Sequence, residues 1–324
     1  MSLTDSLKMI RTQTRRRSFG KILESLIADV TRGLFLSKSL EKFRATFGEL
    51  FINIVKVGET SGTLPENLNY LALELKKRHE LRGKVRGALI YPAIIFFVTI
   101  VIATTLIVFV FPKLLPLFRS LKVELPITTR LLIAVAGFLT NYGLWVILGL
   151  IVLIILFILL LRAQGFRKVV HRLAISLPLF GKIVVEVNLV NSSRTLGLLL
   201  KSGVRIVEAV NITADTLINL VYQRELKSAA EKVRKGEFIS KHFVLKKKFF
   251  PAIFTNMVAV GENTGNLTEN LNYLAEYYES EVDDFVKNLS GTLEPILLIF
   301  MGVLVGFIAL SFITPLYKLT QGIR

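Results

Sequence analysis

The chain has 324 residues, of which 52% are hydrophobic, and a mean hydropathy of +0.57, too apolar for an ordinary soluble domain. It also carries a net charge of +17, so apolar and charged residues must be segregated along the sequence. The absence of cysteine excludes disulfides and thiolate metal sites, and the three histidines, His79, His171 and His242, are too scattered to suggest a metal centre.

Residues 1–87 carry no apolar leader with a cleavage site: Arg11, Arg15, Arg16 and Arg17 precede any hydrophobic run, so no secretory signal is expected. Strand-like alternation is nowhere sustained. Within this segment lies Val55 to Ala72, which contains Val57-Gly58-Glu59-Thr60-Ser61-Gly62-Thr63-Leu64-Pro65-Glu66-Asn67-Leu68. Leu64, Leu68, Leu71 and Leu75 recur at three and four residues, which predicts an amphipathic helix. Gly58 and Gly62 bracket a tight connection before it, and Thr63 with Glu66 fits a capping box with Pro65 in the first turn.

Residues 88–111 contain no charged side chain and are long enough for a membrane helix. Pro92 is expected to open that helix and Pro112 to end it. The basic flank Lys76, Lys77, Arg78, Arg82, Lys84 and Arg86 places the N-terminal side in the cytoplasm; Lys113, Arg119, Lys122 and Arg130 against Glu124 dissent. Leu131 to Leu161 is also uncharged, but as one helix it would be roughly 46 Å long, more than a hydrocarbon core of about 30 Å. Tyr142 and Trp145 suggest an interfacial start, which gives a span over 142–161 and an outer loop with an interfacial helix over 112–141, where 128–140 either extends the span's helix outward or lies along the surface.

Residues 162–291 form a second soluble segment. Val258 to Ala275 repeats Val55 to Ala72 at an offset of 203 residues, with 13 of 18 positions identical, bringing Gly261, Glu262, Gly265, Leu267, Glu269 and Leu271 opposite Gly58, Glu59, Gly62, Leu64, Glu66 and Leu68. The same offset carries Gly33 to Gly236, Pro92 to Pro295 and Pro112 to Pro315. A third span is therefore expected over 292–316, opened by Pro295 and ended by Pro315, with a short outer tail over 317–324. The segment 142–161 has no repeat partner and serves to return the chain to the side it started from. By register, Met1 falls opposite Val204, so the first copy is expected to lack a helix corresponding to the one before Gly203.

The fold class read from these features is all-α: two tandem cytoplasmic helical bundles related by a 203-residue repeat, with three transmembrane helices. Glu59 and Glu262 are left with two readings, satisfaction of backbone N–H groups at a turn or helix start, or contact with a partner protein. No nucleophile, base or phosphate loop accompanies them, so neither catalysis nor a cofactor is expected. The basic runs Arg15 to Arg17 and Lys246 to Lys248 read as attraction to anionic membrane lipids and not as a nucleic-acid site.

The twice-occurring pattern Val-Gly-Glu-x-x-Gly-x-Leu-x-Glu-x-Leu, each time followed by a Pro-bounded apolar helix, closely resembles the type II secretion F family of inner-membrane platform proteins. The resemblance implies a multi-pass inner (plasma) membrane protein with two cytoplasmic six-helix-type domains and no enzymatic activity. It further implies coupling of a cytoplasmic assembly ATPase to the incorporation of pilins or pseudopilins, contacts with other inner-membrane assembly proteins, and a homo-oligomer. The alternative from another class is a repeat-containing membrane transporter, which the absence of ionisable groups within the spans disfavours.

Overall fold

The computed structural model describes residues 2–113, 116, 126–177 and 181–321. Residues 117–125 of the expected outer loop, with Arg119, Lys122 and Glu124, and residues 322–324 of the expected tail lie outside the described residues. All secondary structure among the described residues is helical: α1 (Leu3–Gln13), α2 (Arg17–Thr31), α3 (Leu36–Glu41), α4 (Arg44–Ser61), α5 (Leu64–Thr105) with a π turn at Leu106–Val110, α6 (Ile127–Leu160), α7 (Gln164–Ser176), α8 (Gly181–Lys201), α9 (Ile206–Thr216), α10 (Leu220–Arg234), α11 (Ile239–Val244), α12 (Ala252–Thr264) and α13 (Leu267–Gln321). The helices divide into two compact units, one of residues 1–82 with 168–283, the other of residues 83–167 with 284–324.

In the first unit, α1, α2 and α3 have the bounds of α9, α10 and α11 shifted by 203 residues, and α5 and α13 begin at the same offset. The turns agree as well. After α2 the chain reverses through Gly33 at φ 86°, and after α10 through Gly236 at φ 84°, a left-handed conformation that glycine adopts without steric penalty. Leu23, Leu26, Leu36, Leu40, Ile52 and Val55 form the core of the 3–82 segment, with Phe19, Phe47 and Phe51 packed against it. In the 181–283 segment the aromatic share is larger. Phe243, Phe250 and Phe254 are almost wholly buried, the first two stacked at 4.2 Å, and the Tyr222 hydroxyl donates to the Phe249 carbonyl at 2.7 Å.

The second unit contains most of the exposed apolar surface, the mark of a chain whose solvent is lipid. Its core is small: Phe111, Leu132 and Ala136, with Ile107, Phe307 and Phe312 against them. Thr129 Oγ1 donates to the Ser311 carbonyl at 3.0 Å, satisfying a hydroxyl away from water.

Two features differ from expectation, and one open alternative is resolved. Pro92 lies inside α5 and Pro295 inside α13, so neither opens a helix; each long helix starts at the motif turn and continues into its uncharged run. Nothing between residues 64 and 88 interrupts the hydrogen-bond ladder, and in an apolar surrounding an unbroken helix is the least costly way to satisfy the backbone. Pro112 does not end its helix either, since residues 111–113 remain helical, and α13 passes Pro315 to Gln321. The Phe111 N–H reaches back to the Leu106 carbonyl, and this π turn gives the width that the Pro112 ring needs against the preceding carbonyls. The 128–140 stretch is continuous with the 142–161 span as the single helix α6.

Among the described residues four helices, not three, are long and apolar enough to cross a membrane by length and composition: Leu64–Lys113, Ile127–Leu160, Leu267–Thr314 and Gly181–Lys201. The last is α8, and 67% of its most apolar window is buried inside the protein, against 22%, 0% and 11% for the others in chain order. Its apolar surface is covered by the first unit, as in the central helix of a globular bundle.

Candidate functional site

The motif residues assemble twice, in the same way, at the hairpins between α4 and α5 and between α12 and α13. Gly62 (φ 73°) and Gly265 (φ 76°) are the left-handed residues that end the first helix of each hairpin. Gly58 and Gly261 are required by close approach: a Cβ at either would stand 2.8 Å from the Cα of Leu64 or Leu267, which begin the second helix. Glu66 and Glu269 lie in the first turn of that helix, where a carboxylate favours the N-terminal end of the helix dipole. Leu71, Leu271 and Leu274 are buried, and Leu64 and Leu68 pack on the first core cluster.

Glu59 and Glu262 do not serve their own turn. The two oxygens of Glu59 accept from the N–H groups of Leu36 (2.5 Å) and Ser37 (2.8 Å), and those of Glu262 from Ile239 (2.6 Å) and Ser240 (3.0 Å). Each carboxylate thus caps the short helix that lies some twenty residues upstream, α3 or α11, whose own N-cap residue is a phenylalanine with no side-chain acceptor. Asn67 and Asn270 complete the hairpin by donating from Nδ2 to the carbonyls of Ile54 (3.5 Å) and Met257 (3.0 Å). Sequence reasoning overlooked this pair, although identity at both positions was the available signal.

A second constellation joins the 3–82 and 181–283 segments. Arg194, in the middle of α8 and almost wholly buried, pairs through Nε with Glu74 of α5 (3.6 Å) and through Nη2 with Glu279 of α13 (2.5 Å). Glu74 also receives Arg78 Nε at 2.6 Å, and Arg78 donates to the Thr195 hydroxyl. Further along, Lys201 lies 4.1 Å over the Tyr70 ring, and Gly197 packs against Asn272, where a Cβ would meet Oδ1 at 3.0 Å. A cavity of about 270 Å³ remains beside these groups, lined among others by Tyr70, Glu74, Lys77, Arg194, Lys201 and Glu276.

Burial strips water from the Glu74 carboxylate and raises its pKa, an effect that the guanidiniums of Arg78 and Arg194 only partly offset. Glu186, on the same face of α8, is shifted upward by the same cause against the pull of Lys182. Nothing in the motif hinted at this joint, because Arg194 lies more than sixty residues before the second copy of the motif. The cluster is a clamp between helices, and among the described residues no group of three His, Asp or Glu side chains is placed to hold a metal ion.

The family described as type II secretion system protein F matches residues 1–112 and 192–315. The type IV pilus assembly protein PilC of Thermus thermophilus is 37% identical over 98% of this chain and 78% of its own length. PilC of Pseudomonas aeruginosa is 31% identical, with 92% of this chain and 80% of that protein aligned, and type II secretion system protein F of Vibrio cholerae is 30% identical over 99% and 79%. With the motif folded alike in both places and the family matching most of the sequence, the chain belongs to the type II secretion system protein F family.

Proposed function

We propose that this protein is an inner-membrane platform of a type IV pilus or type II secretion machine, with residues 1–87 and 162–291 forming tandem cytoplasmic domains. In this role it couples a cytoplasmic assembly ATPase to the incorporation of pilin or pseudopilin subunits, as a mechanical component and not as an enzyme. The observation that carries the reading is the continuity of α5 and α13, each of which runs unbroken from a motif hairpin into an uncharged run. Arg194 supports the same reading, since a buried clamp on both long helices makes the two domains respond together.

The glycines and glutamates of the motif are structural in this scheme. Both oxygens of Glu59 and of Glu262 are engaged by backbone N–H groups, so their role is to hold α3 and α11 in place. Pro92 and Pro295 mark the entry of the long helices into the bilayer, and Pro112 lies towards its far side.

Deleting the gene and assaying surface filaments, protein secretion and DNA uptake tests the proposal. Loss of at least one, restored by the intact gene, is expected. Retention of all three would overturn the platform reading, and solute flux through purified protein in vesicles would then favour a transporter.

A further inference from the structure

One duplicated element has no role in the fold described so far. The turn entering α3, Arg32-Gly33-Leu34-Phe35-Leu36-Ser37-Lys38, corresponds to the turn entering α11, Lys235-Gly236-Glu237-Phe238-Ile239-Ser240-Lys241. Their exposure agrees position by position: the first four residues and the lysine are exposed in each, and the aliphatic residue and serine between them are buried. Phe35 and Phe238 have nearly the same backbone conformation, φ/ψ of −60°/139° and −68°/139°. Phe35 is 59% exposed and Phe238 46%.

A phenylalanine is a poor choice for a helix N-cap, where serine, threonine, aspartate or asparagine would satisfy the first N–H groups. Here those groups are already taken by Glu59 and Glu262, so the capping position is free to carry a side chain with no work inside the protein. The same aromatic is displayed in both places between two cations, Arg32 and Lys38 or Lys235 and Lys241; in the second turn the exposed Glu237 also stands beside it, which leaves both turns net positive. Lys241 Nζ lies 5.9 Å from the centroid of the Phe238 ring.

The two turns also face the same end of their unit. The contacts of α8 run from Thr195 with Arg78 to Lys201 with Tyr70 on α5, and from Lys182 with Glu281 to Gly197 with Asn272 on α13. α8 is therefore antiparallel to both long helices, and these run parallel with their starts at one end. Glu59 and Glu262 lie within a turn of those starts, which brings both aromatic turns there.

We propose that Phe35 and Phe238, each flanked by two cations and fixed by a glutamate clamp, form a paired docking surface for a cytoplasmic protein presenting two like apolar sockets with acidic rims. Two equivalent sockets are what a symmetric oligomer offers, and the cationic flanks select for acid at the rim. The proposal rests on the platform reading only in placing both turns in the cytoplasm.

The test uses the full-length chain in its own cells, with p-benzoylphenylalanine in place of Phe35 or Phe238 and, as control, at His79, which is exposed and far along α5 from its start. Both aromatic positions are expected to cross-link the same protein at segments bordered by Asp or Glu, with yield several-fold lower in Lys38→Glu or Lys241→Glu, and the control is expected to give none of it. Different proteins at the two positions, a second copy of this chain, lipid alone, or a yield indifferent to charge reversal would overturn the proposal. A second variant guards against simple misfolding: Phe35→Ser with Phe238→Ser restores an ordinary N-cap and is expected to keep the protein level and melting temperature while abolishing the function lost on gene deletion. If deletion abolishes that function and the double variant retains it, docking fails while the platform reading stands; if deletion changes nothing, the platform reading itself fails.

Discussion

At the scale of the residue, the most constrained groups are carboxylates used to finish someone else's helix. Replacing Glu59 or Glu262 with Gln leaves one acceptor and turns an NH₂ group towards a backbone N–H, so about 1–2 kcal/mol of local stability should be lost at either site. Amide hydrogen exchange should accelerate at Leu36 and Ser37 in the first variant and at Ile239 and Ser240 in the second, to a similar degree. Unchanged protection would show that the clamps contribute nothing, and an effect in one copy alone that they are not equivalent.

His242 gives a pH signature. Burial lowers its pKa against the attraction of Glu225 at 3.2 Å, and the charges of Lys232 and Lys246 lower it further, so folding favours the neutral ring. The unfolded chain takes up this proton near the ordinary value of about 6.5, hence its contribution to stability is intact above that pH and falls as pH drops below it. Denaturant midpoints followed downward from neutrality should decline less steeply in His242→Leu than in the unmodified chain; parallel slopes would show that the histidine titrates alike in both states.

At the scale of the element, what sequence could reveal depended on whether a residue had a repeat partner. The hairpin glycines, the left-handed turns at Gly33 and Gly236 and the apolar spacing of Leu64, Leu68 and Leu71 were legible because local geometry demands them and two copies display them. The partners of Glu59 and Glu262 were not, as the bond spans more than twenty residues and depends on how α3 packs on α4. The prolines misled for a different reason. Proline is a strong breaker in water, but Pro92 and Pro295 are carried within helices whose neighbours on the ladder remain satisfied, and Pro112 is absorbed by a π turn. Apolar content alone made α8 resemble a span, whereas contacts with α5 and α13 assign it to the bundle.

Arg194 is the prediction proper to this scale. Changing it to Leu leaves Glu279 without its partner and Glu74 with Arg78 alone, which should cost about 3–5 kcal/mol. Leucine at Arg194 and Glu279 together should recover most of that loss, because Glu74 keeps Arg78 and no charge is left stranded. Chemical unfolding of the three proteins in detergent measures both; a single variant as stable as the unmodified chain would show that the clamp contributes nothing.

At the scale of the whole molecule, two helical segments separated by more than eighty residues of mostly apolar sequence belong to one compact unit, and each sends a long helix out of it. A platform that passes movement from a cytoplasmic motor to the membrane needs the two segments to move as one. Since the chain has no cysteine, Lys21→Cys with Arg224→Cys introduces the only two thiols, both at exposed and equivalent positions in α2 and α10. Spin labels there, in the full chain held in lipid nanodiscs, report the distance between the two segments. A single narrow distribution is expected, broadening when Arg194→Leu is added; a distribution already broad in the unmodified chain, or one indifferent to Arg194→Leu, would contradict the joint movement of the two domains.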